Sequence, residues 1–229
     1  TGLKGSRNMT KNLAAADLGL VMDSHGPIGS VVVSAPTQYT FSAKIKGKAA
    51  HAGIEPEKGI NAILVASKAI AAMKLGQIDQ RTTANIGVIE GGKATNIIPE
   101  EVMIRGEVRS TEPAKLEKQL LHMQKCLAEE SRKARAKLSF IKTREYSTFK
   151  IASNTDLIKL CRKGARIAGL KFLRKASGGG SDANNLNAIG IPSVVLSTGM
   201  TNVHSTTEYI KISDLNKAAE FILAIALSA

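Results

Sequence analysis

At 229 residues with 43% hydrophobic side chains, the chain is long enough to bury a sizeable core, which excludes a disordered tail or a fibrous repeat. Lys and Arg number 32 against 19 Asp and Glu, a formal charge of +13 that favours acidic partners, yet 3% aromatics and no Trp leave little material for base-stacking platforms. A solvated lysine surface is therefore expected rather than nucleic-acid binding. The two cysteines, Cys126 and Cys161, have no metal-ligand spacing and read as reduced thiols in a cytoplasmic protein. No apolar run is long enough for a membrane helix, and no secretory succession opens the chain. It begins on Thr1, within what reads as the inside of an element, so further chain is expected upstream.

Residues 12–24 turn from a helical stretch into a short apolar strand, Leu18 to Met22, ending on Asp23. Ser30 to Val33 is strongly β-forming, and Pro36 marks a boundary. Beyond it comes an alternating strand, Gln38 to Gly47, then a helix whose stripe reads Ile60, Ile63, Leu64, Ser67, Ile70 and Met73. Thr83 to Glu90 and Ala94 to Ser110 read as a hairpin turned at Gly91 and Gly92. A second helix follows, with Pro113 at its start and Leu116, Leu120, Met123 and Leu127 as its stripe, and Lys137 to Arg144 is the closing strand. The order βαββαβ is that of a ferredoxin-like unit, an antiparallel sheet with two helices on one face.

From about Thr148 the pattern returns to alternating α and β: a helix over 157–168, a strand at 171–174, the run Ser177-Gly178-Gly179-Gly180, a strand at 191–196 and a helix from Ser213. The expected architecture is α/β: residues 1–36 and 148–229 form an incomplete α/β domain, interrupted by the ferredoxin-like unit at 37–147.

Four histidines need placing. His122, with only Cys126 at i+4, reads as a surface residue, and His25 as a loop residue or a ligand. His51 sits in a small-residue loop, GKAAHAG, that lets a substrate or another chain approach closely. His204 follows a buried strand, where open α/β sheets place ligands. Asp23 and His204 together are the hard and borderline donors that zinc, cobalt or manganese accepts, but two ligands do not make a site, and His-x-His, His-x-Asp and HExxH are all absent. Gly178 to Gly180 followed by Ser181 and Asp182 allow a close backbone approach, without the spacing of a phosphate loop. Asn96 and Arg109 are strand-end polar groups able to clamp a carboxylate, or simply surface polarity.

Five stretches carry a resemblance: GLKGS (2–6), the strand ending in Asp23, GKAAHAGIEPEKGINAI (47–63), EGGKATNIIPEEV (90–102) with EVRS (107–110), and GGGSDANNL (178–186) with the His204 loop. Together they resemble the dinuclear zinc peptidase family of peptidase T, carboxypeptidase G, aminoacylase and succinyl-diaminopimelate desuccinylase, most closely its peptidase T-like branch. The resemblance implies a catalytic domain interrupted by a ferredoxin-like lid that mediates homodimerisation, two zinc ions, with cobalt or manganese as substitutes, and a short peptide as substrate. It implies Asp23 as a ligand of one zinc and His204 of the other, and His51 as a lid histidine facing the oxyanion, often across the dimer. It implies Asn96 and Arg109 as lid groups holding the substrate carboxylate, and Gly179 and Gly180 as pocket backbone.

The family's His-x-Asp motif, bridging aspartate and paired glutamates normally lie before the position of Thr1, and none is found here. The expectation is thus the lid-bearing C-terminal portion of an aminopeptidase acting on tripeptides, inactive by itself. The alternatives are an N-acyl amino acid deacylase of the same family, or a non-catalytic dimerisation or binding protein.

Overall fold

The computed structural model describes residues 2–228. In chain order the elements are α1 (Lys4–Arg7), α2 (Lys11–Ala14), β1 (Gly19–His25), β2 (Ser30–Ala35), β3 (Thr37–Lys46), α3 (Ala62–Ala71), β4 (Gly76–Asp79), β5 (Thr82–Gly91) and β6 (Glu101–Ser110). They continue with α4 (Pro113–Lys133), β7 (Lys137–Tyr146), β8 (Phe149–Lys150), α5 (Asp156–Ile167), β9 (Leu173–Ala176), α6 (Asp182–Ala188), β10 (Ser193–Met200) and α7 (Ile212–Ala226). The chain divides into two units, Thr1–Pro36 with Tyr146–Ala229, and Thr37–Glu145.

In the first unit the sheet order is β1-β10-β2-β8, with β9 also paired to β2. β1 runs parallel to β10, and β10 antiparallel to β2. Because side chains alternate along a strand, the run Ser30 to Ala35 serves both faces. Val31 and Val33 join Val194, Leu196, Ile158, Cys161, Phe221 and Ile225 in one core layer, whereas Val32 joins Val195 and Ala183 in another. The helices that cover these faces end cleanly. Gly169 (φ +66) and Gly190 (φ +83) stand just past α5 and α6, where a left-handed residue costs little, and Leu170 N–H to Ala165 C=O (2.8 Å) and Ile191 N–H to Leu186 C=O (3.0 Å) close the last turns. Burial pushes the Cys161 thiol up to about 12, which makes it an inert core residue.

The second unit is a five-stranded sheet, β4-β5-β6-β3-β7, with α3 and α4 packed on it. Without β4, the strand order is that of the ferredoxin-like βαββαβ unit. The segment Gly-Gln-Ile-Asp has no apolar alternation to signal a strand; it is held as an edge by pairing with β5. The stripe of α4 is buried as its spacing predicts, with Leu116, Leu120, Met123 and Leu127 all at 1% exposure or less.

Helix α3 keeps part of its expected stripe, with Met73 buried just after it and Ile70 packed on the core, but differs in its first turns. Its buried face is Ala62, Val65, Ala66 and Ala69, while Ile63 and Leu64 stand 38% and 52% exposed and Ser67 is also exposed. Small alanines let the helix lie close to the sheet and α4, so shape complementarity overrides side-chain hydrophobicity in choosing the inner face. The hairpin also differs: β6 begins at Glu101, and the residues before it form an irregular connection whose Ile97 bridges to His51. Phe41 and Phe140 stack at 5.1 Å within the core rather than on the open face of the sheet. His122 is not a free surface residue: its Nε2 accepts the Lys74 N–H at 3.1 Å, and Gln119 Nε2 donates to Lys74 C=O at 2.7 Å. Both tie α4 to the turn after α3. No helix among the described residues is long and apolar enough to cross a membrane.

Candidate metal and substrate residues

Asp23 and His204 belong to the first unit and follow from the parallel pairing of β1 with β10, which brings both C-terminal ends to one edge of the sheet. The ladder is regular from Gly19↔Ser193 to Met22↔Leu196 and then slips, so Asp23 falls at an irregularity where strands commonly re-aim a side chain. His204 stands in the loop after β10, whose base is closed by Thr201 and Tyr209 exchanging backbone bonds of 3.0 and 3.2 Å. Within it, Asn202 (φ +54) and His204 (φ +66) both adopt left-handed conformations that cost energy for residues with side chains. The His204 N–H donates to Glu208 Oε2 at 2.8 Å and holds that turn.

These residues act on one another electrostatically. Burial is the largest cause raising the Asp23 carboxyl above its ordinary value; Asp182 raises it next, His204 opposes, and Glu208 raises it further. Asp23 thus feels the charges of Asp182, His204 and Glu208 from two other segments of the chain. Among the described residues, no three His, Cys, Asp or Glu side chains converge closely enough to hold a metal. Asp182 also accepts from Ser6 Oγ, which in turn accepts from Asn185 Nδ2 at 2.9 Å, so the GLKGS stretch is tied to the start of α6.

The glycine run is shaped by packing. A Cβ on Gly180 would lie 2.2–2.6 Å from the Tyr146 ring, so only glycine fits there, and the Gly179 N–H donates to Ser177 Oγ at 3.0 Å. Ser181 N–H donates to Asn184 Oδ1 (3.0 Å), and Asn184 Nδ2 reaches Ser147 C=O (2.7 Å), which ties the loop to β8's approach. His25, paired with Met200 on β10, lines an open cavity of about 510 Å³ with Asn202 and Val203 of the His204 loop and with Tyr209, Lys211 and Asp214.

In the second unit the structure brings His51 and Asn96 together. Their segments form a short ladder, with Ala52 N–H to Asn96 C=O at 3.0 Å, Ile98 N–H to Ala50 C=O at 2.9 Å and a bridge between His51 and Ile97. His51 is exposed and its Nδ1 accepts the Gly53 N–H at 3.2 Å, so that bond does not use Nε2. Arg109 is elsewhere. In the antiparallel register Lys46 faces Glu101 and Gln38 faces Arg109, so the His51 and Asn96 loops extend from one end of β3 and β6 while Arg109 stands near the other. At about 3.4 Å per residue, the eight steps from Glu101 to Arg109 span roughly 27 Å. Arg109 also has an internal partner, its Nε and a terminal nitrogen reaching Glu107 at 2.8 and 3.0 Å.

A family model described as a peptidase dimerisation domain matches residues 38–135. YqjE of Bacillus subtilis is 41% identical over 225 residues, covering 98% of this chain and 61% of YqjE. Among solved structures, a tripeptidase from Staphylococcus aureus shares 42% identity at a TM-score of 0.93, covering 98% of this chain and 60% of that one. Aminopeptidase PepT from Bacillus cereus shares 39% at a TM-score of 0.91, covering 100% of this chain and 61% of PepT. The chain is thus similar to peptidase T-like members of the M20 peptidase family. It spans about three fifths of the length of these relatives.

The match to the dimerisation domain runs from β3 through α4 of the βαββαβ unit and ends before β7, and the α/β unit carries Asp23 and His204. Two acidic groups escaped the sequence reading. Glu208 follows His204 at i+4 in a loop with no helical period to link them, and Asp182 reads as the end of a glycine run that allows close backbone approach rather than as a carboxylate acting on Asp23. The sequence signal that could have found Glu208 is the polar run His204 to Glu208 directly after a buried strand.

Proposed function

We propose that this chain is the lid-bearing part of a metal-dependent exopeptidase that removes the N-terminal residue from short peptides, tripeptides above all. The observation that supports the reading is the placement of Asp23 and of the His204 loop at the C-terminal ends of the paired parallel strands β1 and β10, in a chain so similar to a tripeptidase and an aminopeptidase. Asp23 would bind one zinc and His204 the other, with cobalt or manganese acceptable to the same donors. Ions held there would supply the activation of a water and the polarisation of the scissile carbonyl.

The remaining roles belong to this chain's side chains. His51 presents a ring nitrogen to the developing oxyanion, Asn96 and Arg109 hold the peptide's carboxylate end, and Gly179 and Gly180 let the peptide lie close to backbone. An extended tripeptide spans about 10 Å, less than half of the roughly 27 Å along β6. His51 and Arg109 of one chain therefore cannot both touch one tripeptide, which supports a homodimer in which His51 and Asn96 act on a peptide held by the other copy. The two free cysteines fit a reducing compartment, the cytoplasm.

A catalytic zinc takes at least three protein ligands, and this chain offers Asp23 and His204. The 229 residues alone are proposed to hydrolyse nothing.

A chimera tests the reading: this chain replaces the matched part of the Staphylococcus aureus tripeptidase, and a panel of tripeptides and N-acetyl amino acids is assayed. Metal-dependent release of the N-terminal residue from tripeptides is expected. Turnover of acetylated amino acids instead would make it a deacylase, and a folded, dimeric chimera without either activity would favour a non-catalytic role.

A further inference from the structure

We propose that Glu107 is a built-in competitor for the carboxylate that Arg109 binds, so that a peptide must displace Glu107 from the guanidinium; the inference rests on the reading of Arg109 as a carboxylate clamp. Residues 107 and 109 are two apart on β6 and so share one face of the sheet. Glu107 accepts from Arg109 Nε at 2.8 Å and from a terminal nitrogen at 3.0 Å, occupying the forked edge of the guanidinium that is shaped for a carboxylate. Gln38, opposite Arg109 in the β3–β6 register, donates to the second Glu107 oxygen and fixes the carboxylate from the neighbouring strand.

The neighbouring ion pair on the same face differs. Arg105 reaches Glu90 through one contact of 3.2 Å with side chains 54% and 63% exposed, a solvated pair of small consequence. The Arg109 and Glu107 side chains are each 30% exposed, sheltered enough for a charge-assisted pair to matter and open enough for exchange. Occupancy of the fork by an internal carboxylate selects among ligands. A C-terminal carboxylate offers two coplanar oxygens and can replace Glu107 on both nitrogens, whereas a C-terminal amide offers one acceptor and cannot. Glu107 is thus a specificity-determining positioning residue, weakening every ligand at Arg109 and rejecting those without a free carboxylate.

The test titrates the 229-residue chain with trialanine and with trialanine amide, following the Arg109 Nε–H resonance by NMR. In Glu107→Gln, affinity for the free acid is expected to rise about tenfold, and the amide, no longer shut out of the guanidinium fork, is expected to gain binding that stays weaker than the acid's. Gln38→Leu, which frees Glu107 without removing it, is expected to give a smaller gain in the same direction, and covers the case in which the first variant fails to fold. If Glu107→Gln binds the acid no better than wild type, while Arg109→Leu abolishes the preference for acid over amide, the competitor is overturned and the clamp stands. If neither wild type nor Glu107→Gln distinguishes acid from amide, the clamp itself fails.

Discussion

The α/β unit and the dimerisation unit place their candidate residues by opposite means. In the α/β unit, Asp23 sits at a slip in the β1–β10 ladder and His204 at a left-handed residue in a loop, so departures from regular structure bring together groups 181 positions apart in the chain. In the dimerisation unit, an unbroken ten-residue register between β3 and β6 sends the His51 and Asn96 loops to one end and keeps Arg109 at the other. Irregular backbone positions the candidate ligands at one end of the sheet; a regular sheet holds groups a fixed distance apart. The first arrangement suits a metal centre, and the second suits a dimer that serves two sites.

The sharpest separation between the two regions is in catalysis. In the chimera, Asp23→Asn and His204→Ala should abolish tripeptide hydrolysis, since each would remove a proposed metal ligand. His51→Ala should lower kcat by about 10²- to 10³-fold while leaving metal content unchanged, as loss of an oxyanion donor does. Steady-state kinetics beside metal analysis would expose the error if His51→Ala lost metal.

Next in size is the core of the dimerisation unit. Leu120→Ala, at 1% exposure on α4, should cost about 2–5 kcal/mol in urea unfolding, whereas Leu64→Ala on the outer face of α3 should stay within about 0.5 kcal/mol. A large loss at Leu64 in the monomeric state would restore the face predicted from hydrophobicity alone.

Smaller again is the glycine turn of the α/β unit. Gly180→Ala places a methyl against the Tyr146 ring and should destabilise by about 1–3 kcal/mol, whereas Gly178→Ala, with nothing within 4 Å of its Cβ, should be near neutral in thermal melting. Smallest is a difference between thiols that changes no stability. At pH 8 a thiol reagent should label half-buried Cys126 before Cys161, whose thiol is pushed up to about 12 and should react only on unfolding.

The parts of this fold legible in the sequence are those where pattern and packing agree. The α4 stripe, the two apolar strands β2 and β10, and the βαββαβ order all follow from hydrophobic periodicity, because those residues face a core on the side their period predicts. Helix α3 was misread because Ile63 and Leu64 are more hydrophobic than the alanines that face inward, and only the closeness of helix to sheet decides between them. The edge strand β4 carries no periodic signal, since pairing on one side makes it a strand. At the candidate site, Asp23 and His204 are visible as polar residues at strand ends. The influence of Asp182 and Glu208 on Asp23 depends on three segments meeting in space, which no local spacing encodes.

The central claim is that Asp23 and His204 hold two different metal ions at one strand-end site. Its most direct test is the metal content of the purified chimera, measured by inductively coupled plasma mass spectrometry in wild type, Asp23→Asn and His204→Ala. The account predicts about two ions per chain in wild type and about one in each single variant, with the fold unchanged by circular dichroism. Full metal content in both variants would contradict it.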